Sequence, residues 1–241
     1  MSSCIKLEKR RYLENTYLFN LETFITCEGK DDRGTFVLLD ETIFYPQGGG
    51  QPSDEGILQG NNLQINITTV RQIENEIRHY IGAENLPNLE NLRVICFIDK
   101  DKRLLNARYH TAAHLLGNIV ESLYPKLKAT KGHSFPNQAY VEFQGTDLPD
   151  VIRLQDALTQ SINSALAIKI FETNPAAFEQ QFYKLPYSVP ENKDFRVMQI
   201  AGLSPIPCGG THLSTTNEIG NMIIGKVKTK NDVVHISYGL V

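Results

Sequence analysis

Between residues 16 and 98 the apolar side chains come in short runs. TFVLLDETIFYP (35–46), LQINITTV (63–70) and LRVICFID (92–99) are rich in β-branched and aromatic residues, and Gly29, Gly34, Gly56 and a Gly60-Asn61-Asn62 turn punctuate them. Short strands at this spacing predict a small β-barrel or sandwich. After Asp99 the period changes. KRLLNARYHTAAHLLGNIVESLY (102–124) has apolar residues at Leu104, Leu105, Ala112, Leu115, Leu116, Ile119, Val120 and Leu123, which is helical spacing, and Pro125 ends it. QAYVEFQG (138–145) reads as a strand. A second amphipathic helix is expected from about Pro149 to Ile168, burying Val151, Leu154, Leu158, Ile162 and Leu166. KDFRVMQIAG (193–202) reads as a strand running into the loop LSPIPCGGTH (203–212), and strands near 221–228 and 232–238 follow. Strands and helices mix without the βαβ alternation of a doubly wound sheet, so the class is α+β. The switch of period divides the chain into a β domain, 1–99, and an α+β domain, 100–241. No internal repeat or low-complexity tract is present.

At 241 residues, 41% hydrophobic and 21% charged, the chain can bury a sizeable core and has the make-up of a soluble globular protein. No apolar run approaches the ~18 residues of a membrane span. MSSCIKLEKRRY lacks the apolar stretch of a secretory signal, so the expected compartment is the cytoplasm. Cys4, Cys27, Cys96 and Cys208 show no framework spacing and read as reduced thiols. A net charge of −3 does not announce a nucleic-acid binder, but local patches change that. Lys226, Lys228 and Lys230 alternate along an expected strand and would share one face; Lys126, Lys128 and Lys131 form a second cluster.

The candidate chemistry lies in two pairs of residues. His110 and His114 sit one helical turn apart, on one face of the first helix. Cys208 and His212 are also four apart, 94 residues further on (208 − 114), in a loop with Pro205, Pro207, Gly209 and Gly210. Imidazole and thiolate are zinc ligands, and four of them fill a tetrahedron. No Glu lies inside the histidine pair, so the metalloprotease pattern is missing. Four protein ligands leave no open position for water. Spacing therefore permits a structural zinc, or a catalytic one in which a ligand yields.

Five segments, in order, resemble the alanyl-tRNA editing proteins, the AlaX family. YPQGGGQPSDEG (45–56) is similar to the Gly-rich motif of its longer forms, and HTAAH (110–114) to its first zinc motif. KATKGHSFPNQAYVEF (128–143) is similar to a segment lining the editing pocket. PCGGTH (207–212) and the following TTNEIGNMIIGKVKTK (215–230) are similar to the second zinc motif and its downstream strand. The resemblance implies a β-barrel-like domain followed by an α+β editing domain. It implies zinc-dependent hydrolysis, in trans, of mischarged tRNA(Ala), chiefly Ser-tRNA(Ala), with Gly-tRNA(Ala) a further candidate. His110, His114, Cys208 and His212 match the zinc ligands. Thr130 falls near the position of a polar pocket residue that recognises the seryl hydroxyl, with His133 and Ser134 beside it. Gly48, Gly49 and Gly50, with Gln47, Gln51 and Asp54, would lie near the 3′ end of the tRNA. Lys226, Lys228 and Lys230 become phosphate contacts, and Arg103 and Arg108 further candidates. Two other readings stay open: a non-catalytic tRNA-binding module with a structural zinc, and a zinc hydrolase of a small ester or amide.

Overall fold

A computed structural model describes residues 8–60, 62–82, 87–181 and 193–241; Cys4 and Asn61 lie outside the described residues. Two short strands, β1 (Lys9–Arg10) and β4 (Glu41–Thr42), pair in parallel. Six others close into a barrel: β2 (Asn20–Asp31), β3 (Gly34–Leu39), β5 (Gly56–Gly60), β6 (Leu63–Ile73), β7 (Glu76–Ile81) and β8 (Arg93–Ile98), in the order β2-β3-β7-β6-β5-β8. Every neighbour is antiparallel, and β8 closes the ring by pairing with both β2 and β5. Alternate side chains of these strands fill the interior, among them Ile25, Val37, Leu58, Ile65, Ile67, Ile77, Val94 and Cys96.

Gly60 pairs with Leu63 across the expected turn between β5 and β6, and both Gly56 and Gly60 have a further role. They occupy the two ends of β5. A Cβ at Gly56 would stand 2.1 Å from the Phe97 carbonyl oxygen, and one at Gly60 2.5 Å from that of Arg93. Their lack of a side chain lets β5 meet β8 and the barrel close.

Polar groups are also buried in this unit. Arg103 and Asp54 form an ion pair with no exposed side-chain surface. The His79 ring donates from Nδ1 to the Val37 carbonyl (3.1 Å) and accepts at Nε2 from Thr42 Oγ1 (2.7 Å). Burial holds His79 down at about 4 and pushes the Glu8 carboxyl, whose Oε1 lies 4.0 Å from His79 Nε2, up to about 8. Burial likewise raises the Cys96 thiol to about 12, the state of an inert core cysteine.

The chain divides into two compact units, Met1–Asn106 and Ala107–Val241, with the division inside the first helix, α1 (Lys100–Leu123). Asp99 opens α1 by accepting from the Lys102 N–H, and the helix ends just before Pro125. The second unit is built on a four-stranded antiparallel sheet, β14-β15-β10-β9, from β9 (Lys128–His133), β10 (Tyr140–Gln144), β14 (Met222–Lys230) and β15 (Val233–Leu240). The Tyr238 hydroxyl donates to the Tyr109 carbonyl at 2.7 Å, and a Glu121 carboxylate oxygen accepts from the Ala129 N–H at 2.7 Å; these bonds tie α1 to β15 and β9.

The second helix, α2 (Val151–Asn163), is capped by Asp150, which accepts from the N–H groups of Ile152 and Arg153. It is shorter than its apolar spacing suggested. Leu154, Leu158 and Ile162 are buried, but Val151 is 42% exposed. Ala165 takes a positive φ of 48°, so the chain turns there and Leu166 lies beyond the helix. Three further strands, β11 (Ile168–Thr173), β12 (Phe195–Ile200) and β13 (Ile206–Pro207), form a small antiparallel sheet, and α3 (Pro175–Gln181) follows β11. The architecture is α+β with a closed six-stranded barrel. No helix among the described residues is long and apolar enough to cross a membrane.

Candidate metal centre

Helix α1 supplies two of the four expected ligands, and the loop after β13 supplies the others. That loop is pinned to β12: the Cys208 N–H donates to the Arg196 carbonyl (3.0 Å), and Arg196 Nη1 donates to the Cys208 carbonyl (2.6 Å). Thr111, wholly buried between the two histidines of α1, pins its other end. Its hydroxyl oxygen accepts from the Leu213 N–H (3.2 Å) and lies 3.4 Å from His212 Nδ1. With Nδ1 facing Thr111, His212 directs Nε2 inward. Neither Gly209 nor Gly210 has a positive φ, and a Cβ at Gly209 would meet nothing within 4 Å. Gly210 contributes instead through its N–H, which donates to Cys208 Sγ at 3.3 Å.

The ligand atoms of His110, His114, Cys208 and His212 all lie within 4.8 Å of one another. His114 Nε2 is 3.2 Å from His110 Nε2; Cys208 Sγ is 3.6 Å from His110 Nε2 and 3.2 Å from His212 Nε2. A tetrahedral zinc with bonds of ~2.0–2.3 Å sets its ligand atoms about 3.3–3.6 Å apart. The electrostatics agree. Burial depresses all three imidazoles, His114 to about 4 and His110 and His212 well below their ordinary value, and the Arg196 guanidinium adds to each. Neutral rings offer lone pairs, and a cation among them relieves their mutual repulsion. Burial raises the Cys208 thiol, opposed by the Gly210 N–H and Arg196. These are the residue types and spacing of a site that can hold a metal ion, and its three imidazoles are in the neutral state that binds one.

Residues 195–235, which carry Cys208 and His212, match the family described as threonyl and alanyl tRNA synthetase second additional domain. Residues 15–102 match that of class II (A) tRNA synthetases. The alanyl-tRNA editing protein AlaX-M of Methanosarcina barkeri is 30% identical over 225 residues, 86% of this chain and 92% of that protein. AlaX-M of Saccharolobus solfataricus is 31% identical over 224 residues, 91% of this chain and 92% of that protein. The chain belongs to the AlaX family of alanyl-tRNA editing proteins. AlaX-L of Pyrococcus horikoshii is 31% identical over 214 residues, 88% of this chain, and the chain spans about half (52%) of that relative's length.

In this AlaX chain the other expected site residues fall in several settings. Thr130 is exposed on β9, where the strand bulges against β10, and its hydroxyl donates to the Glu142 carbonyl (3.2 Å). His133 ends the same strand with its ring 4.4 Å from that of Phe135 and 5.2 Å from that of Tyr140. Ser134 is buried. The triple glycine forms a tight turn: Gly48 and Gln51 exchange backbone hydrogen bonds (3.2 and 2.9 Å), and Gly49 and Gly50 have φ of 53° and 79°. Two consecutive positive φ values are the signature of a type I′ turn, which explains the glycines. Gly48 and Gly49 are exposed, whereas Gln51 and Asp54 are wholly buried. The Asp54 carboxylate accepts from the Tyr45 N–H (2.6 Å) and from Arg103, so it braces the turn from inside.

Lys226, Lys228 and Lys230 are exposed on β14, but a bulge between Ile224 and Val227 breaks the strict alternation. The Lys226 N–H donates to Ser237 Oγ in that bulge (2.7 Å), while Lys228 and Lys230 pair with His235 and Val233. Arg103 is wholly buried, and Arg108 Nε donates to the Ile219 carbonyl (3.0 Å), so both arginines bond within the protein. Two participants had no signal of their own in the sequence, Thr111 and Arg196. Nothing in KDFRVMQIAG marks Arg196; only the pairing of β12 with β13 brings it to Cys208.

Proposed function

We propose that this chain is a zinc-dependent deacylase that hydrolyses mischarged tRNA(Ala) in trans, Ser-tRNA(Ala) first and Gly-tRNA(Ala) second. The observation that carries the reading is the convergence of three neutral imidazoles and one thiol within 4.8 Å, in a member of the AlaX family. Zinc held by His110, His114, Cys208 and His212 supplies Lewis acidity beside an ester that is already activated. Because the ester is activated, the chain's own task is mainly positioning. Thr111 and the Gly210 N–H orient the ligands. Thr130 recognises the seryl side chain: its hydroxyl proton goes to the Glu142 carbonyl, which leaves its oxygen lone pairs to accept the seryl O–H. A site that pairs a substrate hydroxyl rejects the analogue lacking it by up to ~10⁴–10⁵. His133, held against two rings, is assigned to substrate contact rather than proton transfer.

In this reading the turn Gly48-Gly49-Gly50, exposed at Gly48 and Gly49 and braced by Gln51 and Asp54, faces the tRNA, and Lys226, Lys228 and Lys230 meet phosphates, so binding weakens with salt. Residues 1–99 form the barrel domain and 100–241 the editing domain. The tRNA substrate implies work in the cytoplasm.

The test is deacylation of Ser-tRNA(Ala) by the purified chain and by His114→Ala, with zinc content measured on both. The proposal expects serine release and about one zinc per chain, both lost in the variant. Binding of tRNA with zinc present but no serine released overturns it in favour of a tRNA-binding module with a structural zinc. Equal release from a free seryl ester and from tRNA overturns it in favour of a small-ester hydrolase. Thr130→Val is expected to lose the preference for serine over alanine with zinc still bound; an unchanged ratio refutes that assignment.

A further inference from the structure

One face of the sheet β14-β15-β10-β9 carries a column of rings that the metal centre does not use. Phe135 stacks on His133 with centroids 4.4 Å apart and planes 5° from parallel. His133 stacks on Tyr140 at 5.2 Å and 29°, and Tyr140 on His235 at 4.4 Å and 29°. Strand register builds the column: His133 lies opposite Tyr140, and His235 lies opposite Glu142, two residues along β10 from Tyr140. None of the four rings is fully buried. At the His235 end lies a cavity of about 500 Å³ lined by Glu142, Lys228, Lys230, Asn231, Val233 and His235. Lys131, on the same sheet, holds its ammonium 5.6 Å from the Tyr140 ring centroid. Lys131, Lys228 and Lys230 are exposed, and Lys131 also interacts with the Tyr140 hydroxyl and the Glu142 carboxylate. Glu142 is the only carboxylate among the residues lining the cavity.

Stacked rings that end at an open cavity, with cations around it, suit a particular occupant. A planar base extends the column, phosphates meet the lysines, and the carboxylate accepts a hydrogen bond from an amine on the base edge. We infer that this cavity is a nucleobase subsite: an unpaired, amine-bearing nucleoside of the RNA substrate stacks on His235, its N–H donates to Glu142, and its flanking phosphates lie on Lys228 and Lys230. The inference rests on the tRNA-directed reading above and deepens it. It gives two of the three β14 lysines a common target and a reason for the rings of His133, Tyr140 and His235 to be aligned.

The experiment uses the full chain with its zinc and two probes, fluorescently labelled oligocytidine and oligouridine hexamers, read by anisotropy across a salt series. A 2-aminopurine-substituted hexamer reports stacking by quenching. The unaltered chain is expected to quench 2-aminopurine and to prefer cytidine, which has the exocyclic amine, over uridine by about tenfold, as for one hydrogen bond to a charged group. Glu142→Gln, whose amide both donates and accepts, is expected to lose that preference. His235→Leu is expected to weaken binding about tenfold and abolish quenching. Lys228→Ala with Lys230→Ala, both exposed and harmless to folding, is expected to lower the slope of log affinity against log salt by about 1.4, two single-strand phosphates at ~0.7 each. Unchanged quenching in His235→Leu together with an unchanged salt slope in the lysine variant overturns the subsite. Serine release from Ser-tRNA(Ala), measured alongside, separates the two readings. If release proceeds while no variant alters binding, the subsite fails and the deacylase stands. If release is absent while the hexamers bind as expected, the deacylase fails and the subsite stands.

Discussion

Replacing Arg103 by methionine removes the guanidinium from a wholly buried site while keeping most of the aliphatic stem. Its Nε donates to both Asp54 oxygens (2.9 and 3.0 Å) and Nη1 to the Thr16 carbonyl (2.9 Å). Nη2 donates to the Ile43 carbonyl (2.5 Å) and to Asp54 Oδ2. The variant leaves the Asp54 carboxylate buried with the Tyr45 N–H as a remaining donor, and takes one donor from each of two carbonyls. Breaking a buried ion pair from one side costs ~3–5 kcal/mol. That is a large part of the ~5–15 kcal/mol that holds a domain folded.

Adding Asp54→Asn removes the stranded charge. The double variant should then lose only about 1–2 kcal/mol, for hydrogen bonds worth roughly 0.5–1.5 kcal/mol each. The chain has two compact units, so a single urea transition would mix them. Amide hydrogen exchange in β5, β6 and the 45–54 turn reads the barrel unit alone. Arg103→Met should lower the opening free energy there by ~3–5 kcal/mol, with the turn amides exchanging fastest. A loss under ~1 kcal/mol, or a double variant as unstable as the single one, would refute the view that Arg103 neutralises Asp54 and braces the glycine turn.

Three other substitutions and one further pH effect follow from the same physics. The Glu8 carboxyl, held near 8 in the fold against 4.5 ordinarily, keeps its proton there when the unfolded chain has lost it, so barrel stability should fall as pH rises from about 4.5 through 8. Glu8→Gln should flatten that fall and recover a few kcal/mol at about pH 9, since each tenfold change in proton affinity is worth about 1.4 kcal/mol; an unchanged pH slope in exchange rates would count against it. His79, held near 4, acts in the opposite sense and costs stability as pH drops from 6.5 through 4. Thr111→Val, which takes the hydroxyl from His212 Nδ1 and the Leu213 N–H, should weaken zinc binding about 10–100-fold in competition with a chromophoric chelator; an unaltered affinity would remove Thr111 from the site. Gly56→Ala drives a methyl to 2.1 Å from the Phe97 carbonyl oxygen and should destabilise the barrel by ~1–3 kcal/mol, read by exchange at the β5–β8 pairing, where unchanged protection would contradict the close approach.

Local signals were legible wherever one short stretch carried the whole pattern. The apolar period of residues 102–124 and the stop at Pro125 specify α1, and the four-residue step puts His110 and His114 on one face of it. PCGGTH reads as a ligand loop, and the runs at 35–46, 63–70 and 92–99 read as strands of a small β unit. Strand β9 escaped because KATKGH sits at a sheet edge with no buried side chain, so it has no apolar alternation to read. In α2 the apolar spacing runs past Asn163, and only the positive φ at Ala165 ends the helix. The barrel's closure depends on β8 pairing with both β2 and β5, and nothing local encodes which partner a strand meets.

The sequence by itself determined the candidate ligand types and their two spacings, which are plain residue identities, and the α+β class, which follows from periods of two and 3.6 residues. Tertiary structure alone decided that the two pairs meet, that Asp54 faces Arg103 across 49 residues rather than solvent, and that His133, Tyr140 and His235 stack in one column. Each of these joins residues far apart in the chain, and such contacts form only when the surrounding strands and helices pack and expel water.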